Sequence, residues 1–508
     1  MRSHFRSTAT LLLAALLSST VYAQDGGKVQ DDLTEAGIKA YFPGQDGYLN
    51  ASQPFNLRFT PEPVAVAYPT TALQVSEIVK IGHRAGIPVT ARSGGHSYIA
   101  AGLGSQSHEN LVIDLSHLNT ITYNESTHIA VIGPGNRLGP VAVKLNEHGR
   151  GIPHGSCAYV GIGGHAAFAG YGFASRMWGL TIDTILSVEA VLANGTITTA
   201  SETQHPDLFW ALRGAAPSFG LITSYTIQTF PVPSSGLIFS YAWTFNTTYA
   251  ATAILHLQSR IRTLPILGEF SCQIVLTPGP VVGEINLSLS GGWYGPPDEL
   301  DSVIAPFLED LPPRRDESVG GGSWIESVEN LAGGSLDTSA PGGTDVFYAK
   351  SLILTQESGG FTNESALAFA RYLANEGKEW GSFWFLQVEL YGGPNSAIAD
   401  VPGNATAFAW RDALFTIQLY VSSPGQGVPY PDAGVDLFNG MADSITDNSP
   451  EGTVFGAYTN YVEDQLEDWQ TRYYSDHYPR LQQIKKEVDP DNTFRFLTSV
   501  ELPRDVIY

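Results

Sequence analysis

Cysteine and basic residues are both scarce in this sequence of 508 residues. It contains two cysteines, Cys157 and Cys272, so a framework of several disulfides is excluded, and one disulfide between them is the simplest interpretation for a secreted chain. Lysine and arginine together number 27, against 50 aspartates and glutamates, which gives a formal net charge of −23. This acidity argues against nucleic acid and anionic membranes as partners, because both are negatively charged.

Long hydrophobic runs are also absent. A short apolar run near the N-terminus, Leu11–Leu17, follows Arg2 and Arg6 and precedes small residues, which is typical of a secretory signal peptide cut near Gln24. No later run is long enough to span a bilayer. We therefore predict a signal peptide over 1–23 and a secreted, extracellular protein that does not enter a membrane.

Seven Asn-x-Ser/Thr triplets agree with this localisation. In a secreted chain several of them would carry glycans and would lie on the surface. The seven asparagines are Asn50, Asn124, Asn194, Asn246, Asn286, Asn363 and Asn404.

The usual nucleotide and metal motifs are missing. No Gly-x-Gly-x-x-Gly opens a helix after a strand and no Gly-x-x-x-x-Gly-Lys-Ser/Thr loop occurs, so neither a nicotinamide-type dinucleotide fold nor a P-loop is supported. His96, His154, Cys157 and His165 lack the short Cys-x-x-Cys or His-x-x-x-His spacing of a preformed metal site. We predict no metal.

In the N-terminal half of the chain, apolar stretches alternate between strand and helix patterns. Thr70 or Thr71 can cap a helix that ends at Gly86. An Asn-Gly turn predicts a hairpin over 186–201. Beyond a Pro/Ser/Gly stretch near Phe230 the pattern changes, which indicates a domain boundary.

Longer alternating stretches follow this boundary, such as 283–295 and 382–393, and they predict a large antiparallel sheet. Aromatic residues are plentiful in this part of the chain. They could stack on sugar rings or simply fill the core. The five aromatic residues that we consider for this role are Trp293, Tyr294, Trp324, Trp380 and Trp384.

Two glycine-rich segments are the strongest functional signal. The first reads "ARSGGHSY" over 91–98, and the second, over 154–184, holds many glycines. Because an interior glycine costs a helix or sheet about 0.5–1 kcal/mol, we expect the second segment to be a loop wrapped on a large ligand. Backbone amides exposed at glycines suit a pyrophosphate. A structural loop without a ligand is the alternative.

Each segment also carries a nucleophile, His96 in the first and Cys157 in the second. Imidazole and thiolate can both bond to an electrophilic flavin ring. The residues therefore suggest a flavin held by these segments, with His96 attached to it.

Four motifs in order carry a resemblance to a known family. They are "ARSGGHSY", "HGSCAYVGIGGH" with the "WGLTIDT" that follows it, "HPDLFWALRGAAPSFGLIT", and the tail from "YTNYVEDQL" to "DPDNTFRF". Together they resemble the berberine-bridge-enzyme-like branch of the vanillyl-alcohol-oxidase flavoprotein family, and within it fungal oligosaccharide oxidases of the glucooligosaccharide-oxidase type. The resemblance covers nearly all of the mature chain.

The resemblance implies an α+β fold with a two-part FAD-binding domain. The first part is expected over 24–235 and the second over 457–508, with a substrate domain over 236–456 built on a large antiparallel sheet backed by helices. It also implies FAD attached covalently through His96 to the 8α-methyl group and through Cys157 to C6. A disulfide between Cys157 and Cys272 is then disfavoured, and Cys272 becomes a buried free thiol.

The resemblance assigns roles to single residues. The cofactor-binding residues that it implies are Arg92, Ser93, Gly94, Gly95, His96, Ser97, Cys157, Val160, Gly161, Gly163, Gly164, His165, Gly172 and Ile222. The substrate-binding residues that it implies are Tyr98, Gln387 and Gln418. Gln387 lies two residues before Glu389, so both face one side of a strand.

The catalytic residues implied are Tyr461, the last residue of "YTNY", as base, and Glu389 as its carboxylate partner. A tyrosine can remove a hydroxyl proton near neutral pH only if its phenol pKa is lowered, for example by a nearby cation. The oligosaccharide oxidases have Asp more often at the position of Glu389, so this residue departs from their pattern.

The function implied is a secreted oxidase that turns the reducing-end C1 hydroxyl of oligosaccharides into a lactone. O2 would be reduced to H2O2, and the enzyme is expected to be a monomer. One alternative keeps the flavin and changes the substrate to a secondary metabolite. Two others are a glycosidase with paired carboxylates and a flavin-loaded protein without activity.

Overall fold

The computed structural model describes residues 27–106 and 109–504. The predicted signal peptide over 1–23 lies outside them. Three large β-sheets with helices packed on them form this part of the chain. No helix within it is both long and apolar enough to cross a membrane.

The first sheet carries the loop that contains His96. Its strands are β1 (Lys39–Tyr41), β2 (Ala65–Tyr68), β3 (Val89–Arg92) and β4 (Leu111–Asp114). They lie in the order β1-β2-β4-β3, with β2, β4 and β3 parallel and β1 antiparallel at the edge. Because β3 ends at Arg92, the loop 93–98 leaves the carboxyl end of a parallel strand, where ligand sites of α/β sheets usually lie.

The helix between β2 and β3 confirms the sequence prediction. It spans Ala72–Ala85, and the Thr71 side chain caps it by accepting a hydrogen bond from the amide of Gln74. It ends at Gly86, whose φ of 69° is left-handed.

The second sheet is antiparallel throughout. Its strands are β5 (Ile121–Asn124), β6 (Ile129–Ile132), β8 (Ile185–Val191), β9 (Ile197–Ser201) and β10 (Leu221–Gln228), in the order β5-β6-β10-β8-β9. Strand β7 (Arg150–Gly151) pairs with β11 (Phe230–Pro231) beside it. The predicted hairpin is confirmed, because β8 and β9 pair antiparallel around Gly195, which has a φ of 80°.

The third sheet has seven antiparallel strands and carries the glutamines of the predicted site. Its strands are β12 (Gly236–Asn246), β13 (Phe270–Pro278), β14 (Glu284–Trp293), β15 (Asp316–Gly322), β16 (Phe347–Thr355), β17 (Trp384–Leu390) and β18 (Ala413–Ser422). Their order is β15-β12-β14-β13-β17-β18-β16. Helices Thr247–Thr263, Asn363–Ala374 and Asp432–Thr446 contribute to the core on one face. The predicted sheet backed by helices is thus confirmed.

Four of the aromatic residues considered for sugar stacking are core residues instead. Trp293 and Trp384 belong to the core of the third sheet, and Tyr294 and Trp324 to a smaller neighbouring cluster, all of them buried. Half-buried Trp380 packs against the core of the third sheet as well. Packing therefore accounts for these positions, and the sugar-stacking interpretation is wrong for the four buried side chains.

The second glycine-rich segment is not all loop, contrary to our expectation. Ile162–Phe168 within it forms a helix that includes Gly163, Gly164 and His165. Tertiary packing of Ile162 and Ala166 in the core outweighs the helix cost of the glycines. Further α-helices are Tyr48–Ala51, Leu138–Asn146, Ser175–Trp178, Pro206–Leu212, Leu300–Leu308, Trp324–Leu331, Glu376–Glu379, Ala397–Asp400, Trp469–Tyr474 and Tyr478–Val488. Residues 27–35 are helical as well.

The C-terminal segment returns to the first half of the chain. Its helices Trp469–Tyr474 and Tyr478–Val488 place Leu481 and Ile484 in the core of the second sheet. Buried Lys485 donates hydrogen bonds to the carbonyl of Ser218 and to Asp489. This docking agrees with a two-part domain, whose limits at 24–235, 236–456 and 457–508 stay a prediction.

Candidate active site

The two glycine-rich segments meet backbone to backbone. A Cβ on Gly94 would overlap the backbone of Gly161, and a Cβ on Gly161 would overlap Gly94. Ser93 fastens this junction, because its hydroxyl donates to the carbonyl of Pro134 (2.6 Å) and accepts from the amide of Gly163 (3.2 Å). Glycine is required here by close approach, and the segments form one continuous surface.

A cavity follows this surface. The predicted cofactor-binding residues that line it are Arg92, Ser93, Gly94, Gly95, His96, Ser97, Val160, Gly161, Gly164 and His165. Tyr98 and Tyr461 line it too.

Four other predicted cofactor-binding residues lie outside this lining. The amide of Gly163 donates a hydrogen bond to the hydroxyl of Ser93. Position 172 requires glycine, because a Cβ there would overlap the carbonyl of His154. Ile222 is buried in the core of the second sheet, and Cys157 is exposed.

His96 is an uncharged imidazole in this setting. Burial lowers its pKa to about 4, and the positive charge of Arg137 acts in the same direction. A neutral imidazole keeps the ring lone pair that an imidazolium lacks. His96 is therefore in the protonation state that can attack an electrophilic carbon.

Both cysteines are free thiols, with Cys157 exposed and Cys272 buried in β13. The interpretation of a single disulfide is wrong, and the unpaired cysteines that the resemblance implied are confirmed. Burial raises the pKa of Cys272 to about 12, so this residue stays an uncharged thiol in the core. Cys157, in contrast, is accessible for reaction.

The structure brings the two predicted catalytic residues together. Tyr461 ends the short turn Thr459–Tyr461, and its phenol donates a hydrogen bond of 2.8 Å to Oε1 of Glu389 on β17. Glu389 is only 6% exposed, and its Oε2 has no hydrogen-bond partner among the described residues. The longer side chain of Glu389 therefore still reaches the tyrosine.

The pKa values of this pair correct one expectation. Burial raises the pKa of the Glu389 carboxyl to about 8, while the hydrogen bond from Tyr461 acts to lower it. Burial and then the charge of Glu389 raise the pKa of Tyr461 well above its ordinary value. A lowered tyrosine pKa is wrong for this pair, because the phenol faces a carboxylate instead of a cation. Tyr461 can therefore take up a substrate proton only if its own phenol proton passes to Glu389.

Three amide side chains lie beside Tyr461 and Glu389, and we call them the amide row: Gln418, Gln387 and Gln273. Buried Gln418 donates from Nε2 to the hydroxyl of Tyr98 (2.6 Å), and Gln387 stands opposite Gln418 in the sheet. Gln387 donates to Oε1 of Gln273 (3.1 Å), which in turn stands opposite Glu389. Gln273 was not predicted from the sequence, although a polar side chain between the buried neighbours Cys272 and Ile274 of β13 is a usable signal.

The C-terminal turn is tied to the second glycine-rich segment. The hydroxyl of Tyr458 accepts hydrogen bonds from the amides of Gly170 (3.2 Å) and Tyr171 (3.0 Å). Asn460 donates from Nδ2 to this hydroxyl and to the carbonyl of His165, both at 3.1 Å. Both residues belong to "YTNY", but only Tyr461 was singled out from the sequence.

The predicted cofactor residue His165 is a buried acceptor. Its Nε2 accepts a hydrogen bond from the amide of Gly155 (3.2 Å). Burial lowers its pKa to about 3, and His154 contributes. Across 27–106 and 109–504, no group of three or more histidine, cysteine or acidic side chains is placed to hold a metal ion.

Known protein families match both parts of the predicted FAD-binding domain. A family model described as FAD binding domain matches residues 63–201, and one described as berberine and berberine like matches 457–501. The chain is 32% identical to a carbohydrate oxidase of Microdochium nivale, over 97% of this chain and 99% of that protein. It is 35% identical to the FAD-linked oxidoreductase dpmaF of Metarhizium anisopliae, over 92% and 90%.

A solved structure agrees with these matches. The glucooligosaccharide oxidase from Acremonium strictum, studied for its 6-S-cysteinyl, 8α-N1-histidyl FAD, superposes with a TM-score of 0.85 at 29% identity, over 93% of this chain and 99% of that one. The resemblance, the FAD cofactor and the oxidoreductase class predicted from the sequence are confirmed, and the glycosidase alternative has no support. The chain belongs to the berberine-like family of FAD-binding oxidoreductases.

Proposed function

We propose that the protein oxidises the reducing-end C1 hydroxyl of an oligosaccharide to a lactone and reduces O2 to H2O2. The observation that carries the proposal is the hydrogen bond between Tyr461 and Glu389, set beside a row of amides. Amide side chains both donate and accept hydrogen bonds, so they suit sugar hydroxyls. Relatives described as carbohydrate and glucooligosaccharide oxidases support this substrate class.

The residues present fit an FAD. Loop 93–98 and the glycines that face it offer backbone amides along the cavity, and a Cβ at Gly94 would overlap the backbone of Gly161 and disrupt that surface. Neutral His96 and exposed Cys157 supply the two nucleophiles for covalent attachment. We infer that they hold the cofactor covalently, while the remaining predicted cofactor residues form or support its site. When bound, FAD supplies the two-electron acceptor for the hydride of C1 and the route of electrons to O2.

Tyr461 and Glu389 move the hydroxyl proton. Tyr461 takes the proton from the C1 hydroxyl while its own proton passes to Oε1 of Glu389. The relay is required because burial and the neighbouring carboxylate raise the pKa of Tyr461 too far for a resting tyrosinate. Glu389 must therefore be ionised when the substrate arrives.

The amide row orients the sugar. Gln387 and Gln273 present a linked pair of amides next to Glu389, and Gln418 fixes the hydroxyl of Tyr98. Tyr98 lies parallel to Tyr461, with ring centroids 6.0 Å apart and planes 6° apart. We propose that Tyr98, Gln387, Gln418 and Gln273 bind the reducing-end unit and its neighbour.

An anaerobic titration of the purified protein tests this function. Cellobiose and xylobiose are added while the visible flavin absorbance is followed, with Tyr461→Phe as the matched variant. We expect the wild-type protein to bleach and the variant to stay yellow on the same timescale. A wild-type protein that stays yellow with every oligosaccharide would overturn the sugar assignment.

A second candidate is the oxidation of a secondary metabolite. It is favoured by Glu389, which departs from the more usual Asp of the oligosaccharide oxidases, and by the identity of 35% to an oxidoreductase whose name specifies no sugar. Bleaching by a non-sugar alcohol without bleaching by sugars would select it.

We also propose that the protein is secreted and acts as a monomer. Its acidic composition and the signal-like N-terminal sequence support secretion. Size-exclusion chromatography with light scattering on protein from the culture medium tests both points.

A further inference from the structure

Asn56 is a wholly buried amide that belongs to no helix or strand. It is 0% exposed and lies between the helix Tyr48–Ala51 and β2, before the residues 63–201 that match the FAD-binding family model. No sequence motif marks this residue. A buried amide without partners would be costly, so its partners show what it holds in place.

Asn56 uses its full hydrogen-bonding capacity. Its Nδ2 donates to the carbonyl of Tyr98 (2.8 Å) and to the carbonyl of Phe347 on β16 (2.9 Å). Its Oδ1 accepts from the amide of Arg58 (3.1 Å) and from the amide of Phe347 (3.3 Å). An amide is the side chain of this size that offers two donors and an acceptor oxygen with two lone pairs at once.

The neighbours of Asn56 extend the same link. The ring of Phe55 stacks on the imidazole of His96, with centroids 4.2 Å apart and planes 23° apart. The amide of Leu57 donates to the carbonyl of Asp345 (2.8 Å), and the amide of Asp345 donates to the carbonyl of Phe55 (3.1 Å). Residues 55–57 thus lie between the His96 loop and the start of β16.

We propose that Asn56 is a positioning residue for the oxidation. It fixes the backbone of Tyr98, and with it the nearby His96, at a set place against the sheet that carries the amide row. The inference rests on the proposed function, since it takes His96 as an attachment site and Tyr98 as part of the substrate site. Loop 93–98 lies outside helix and strand, so it depends on such contacts for its position.

Misplacement of loop 93–98 would slow two reactions, the covalent attachment at His96 and the hydride transfer from the substrate. Covalent attachment and hydride transfer both require the reacting atoms to be aligned within a fraction of an ångström. In Asn56→Asp a carboxylate replaces the amide, so two backbone carbonyls lose their donor and face a negative charge. We expect slower attachment at His96, a kcat reduced at least tenfold, and a raised KM for the sugar.

The experiment compares Asn56→Asp with wild type and with Ser76→Ala. Ser76 is buried in the same half of the protein and donates to the carbonyl of Gly195, away from the site, so its variant reports destabilisation alone. The proteolytic peptide that contains His96 and the one that contains Cys157 are quantified by mass spectrometry, which gives the fraction of each that carries flavin. Steady-state kinetics and the Tm are recorded on the same samples.

The expected result is a loss of flavin from the His96 peptide of Asn56→Asp by more than half, with the Cys157 peptide modified as in wild type. Ser76→Ala lowers the Tm but keeps full attachment, kcat and KM. Asn56→Asp with wild-type attachment, kcat and KM would overturn the positioning role. A wild-type protein without flavin on His96 would overturn the proposed attachment instead. If Asn56→Asp does not accumulate, Asn56→Ser, which keeps one donor, is measured in its place.

Discussion

The phenol of Tyr461 donates its hydrogen bond to a carboxylate, Glu389, whose pKa burial raises to about 8. The two residues lie 72 positions apart in the chain, one on a C-terminal turn and one on β17. Neither has an ordinary pKa, and each perturbs the other, so they titrate and act as one unit.

Removing either member should stop the proton relay. We expect Tyr461→Phe and Glu389→Gln each to lower the rate of anaerobic flavin reduction by about 10²–10⁴-fold, the usual contribution of general-base catalysis. The double variant should be no slower than the worse single variant, because the residues act together. Stopped-flow absorbance measures these rates, with Glu326→Gln, a change to an exposed side chain of the helix Trp324–Leu331, as the control. Losses that multiply in the double variant would contradict a shared role.

The rate should depend on pH through Glu389. Only the ionised carboxylate can accept the tyrosine proton, so we expect the reduction rate to rise with pH and to reach half its maximum near the pKa of about 8. The wild-type rate is measured from pH 5 to 9 at saturating sugar. A flat profile over this range would show that Glu389 is not the acceptor.

The free energy of unfolding should fall as pH rises, whereas the reduction rate should increase. The folded-state pKa of Glu389, about 8, lies above the ordinary value of 4.5, so the folded protein binds more protons between these values. The contribution is full below pH 4.5 and is lost as pH rises through 8. We expect the free energy of unfolding to fall more from pH 5 to 8 in wild type than in Glu389→Gln, as measured by denaturant titration. Equal slopes in the two proteins would refute the raised pKa.

The junction of the glycine segments should tolerate no side chain. In Gly94→Ala the added methyl group meets backbone atoms of Gly161, which no side-chain rotation can relieve. We expect a lower Tm and loss of bound flavin, measured by calorimetry and by the absorbance ratio. Gly403→Ala, whose Cβ meets nothing within 4 Å, is the matched control and should match wild type. Full flavin content in Gly94→Ala would contradict the contact.

Glycosylation should spare one of the seven triplets. Asn286 lies within β14, where its Nδ2 donates to the carbonyl of Pro278 and its Oδ1 accepts from Thr244. The other six asparagines are exposed. In protein expressed through a eukaryotic secretory pathway, we expect glycopeptide mapping to find no glycan at Asn286 and glycans among the other six. A glycan at Asn286 would mean that this strand is open when the glycan is added.

Local signals predicted the regular elements well. Thr71 and Gly86 define a helix that the structure confirms at both ends, and the Asn-Gly turn before β9 defines its hairpin. The glycines at 163 and 164 misled us, because the packing of Ile162 and Ala166 decides that segment. Propensity is a weak guide where burial is strong.

The site was predictable only through the family motifs. Nothing local in the sequence pairs Tyr461 with Glu389, and the link from Asn56 to Phe347 spans 291 positions. The pKa of Tyr461 was mispredicted because its direction depends on which charge the fold brings beside it. Gln273 was missed because a single polar residue in a strand is ambiguous until its cross-strand neighbour is known.

The contact of Tyr458 with the amides of Gly170 and Tyr171 joins segments that are synthesised 288 and 287 positions apart. A chain synthesised only to residue 457 already has both glycine-rich segments and the amide row, but it lacks Tyr458 and the proposed base, Tyr461. On the proposed mechanism, a chain that stops before Tyr461 would therefore hold the parts of the flavin and sugar sites without the residue that takes the hydroxyl proton.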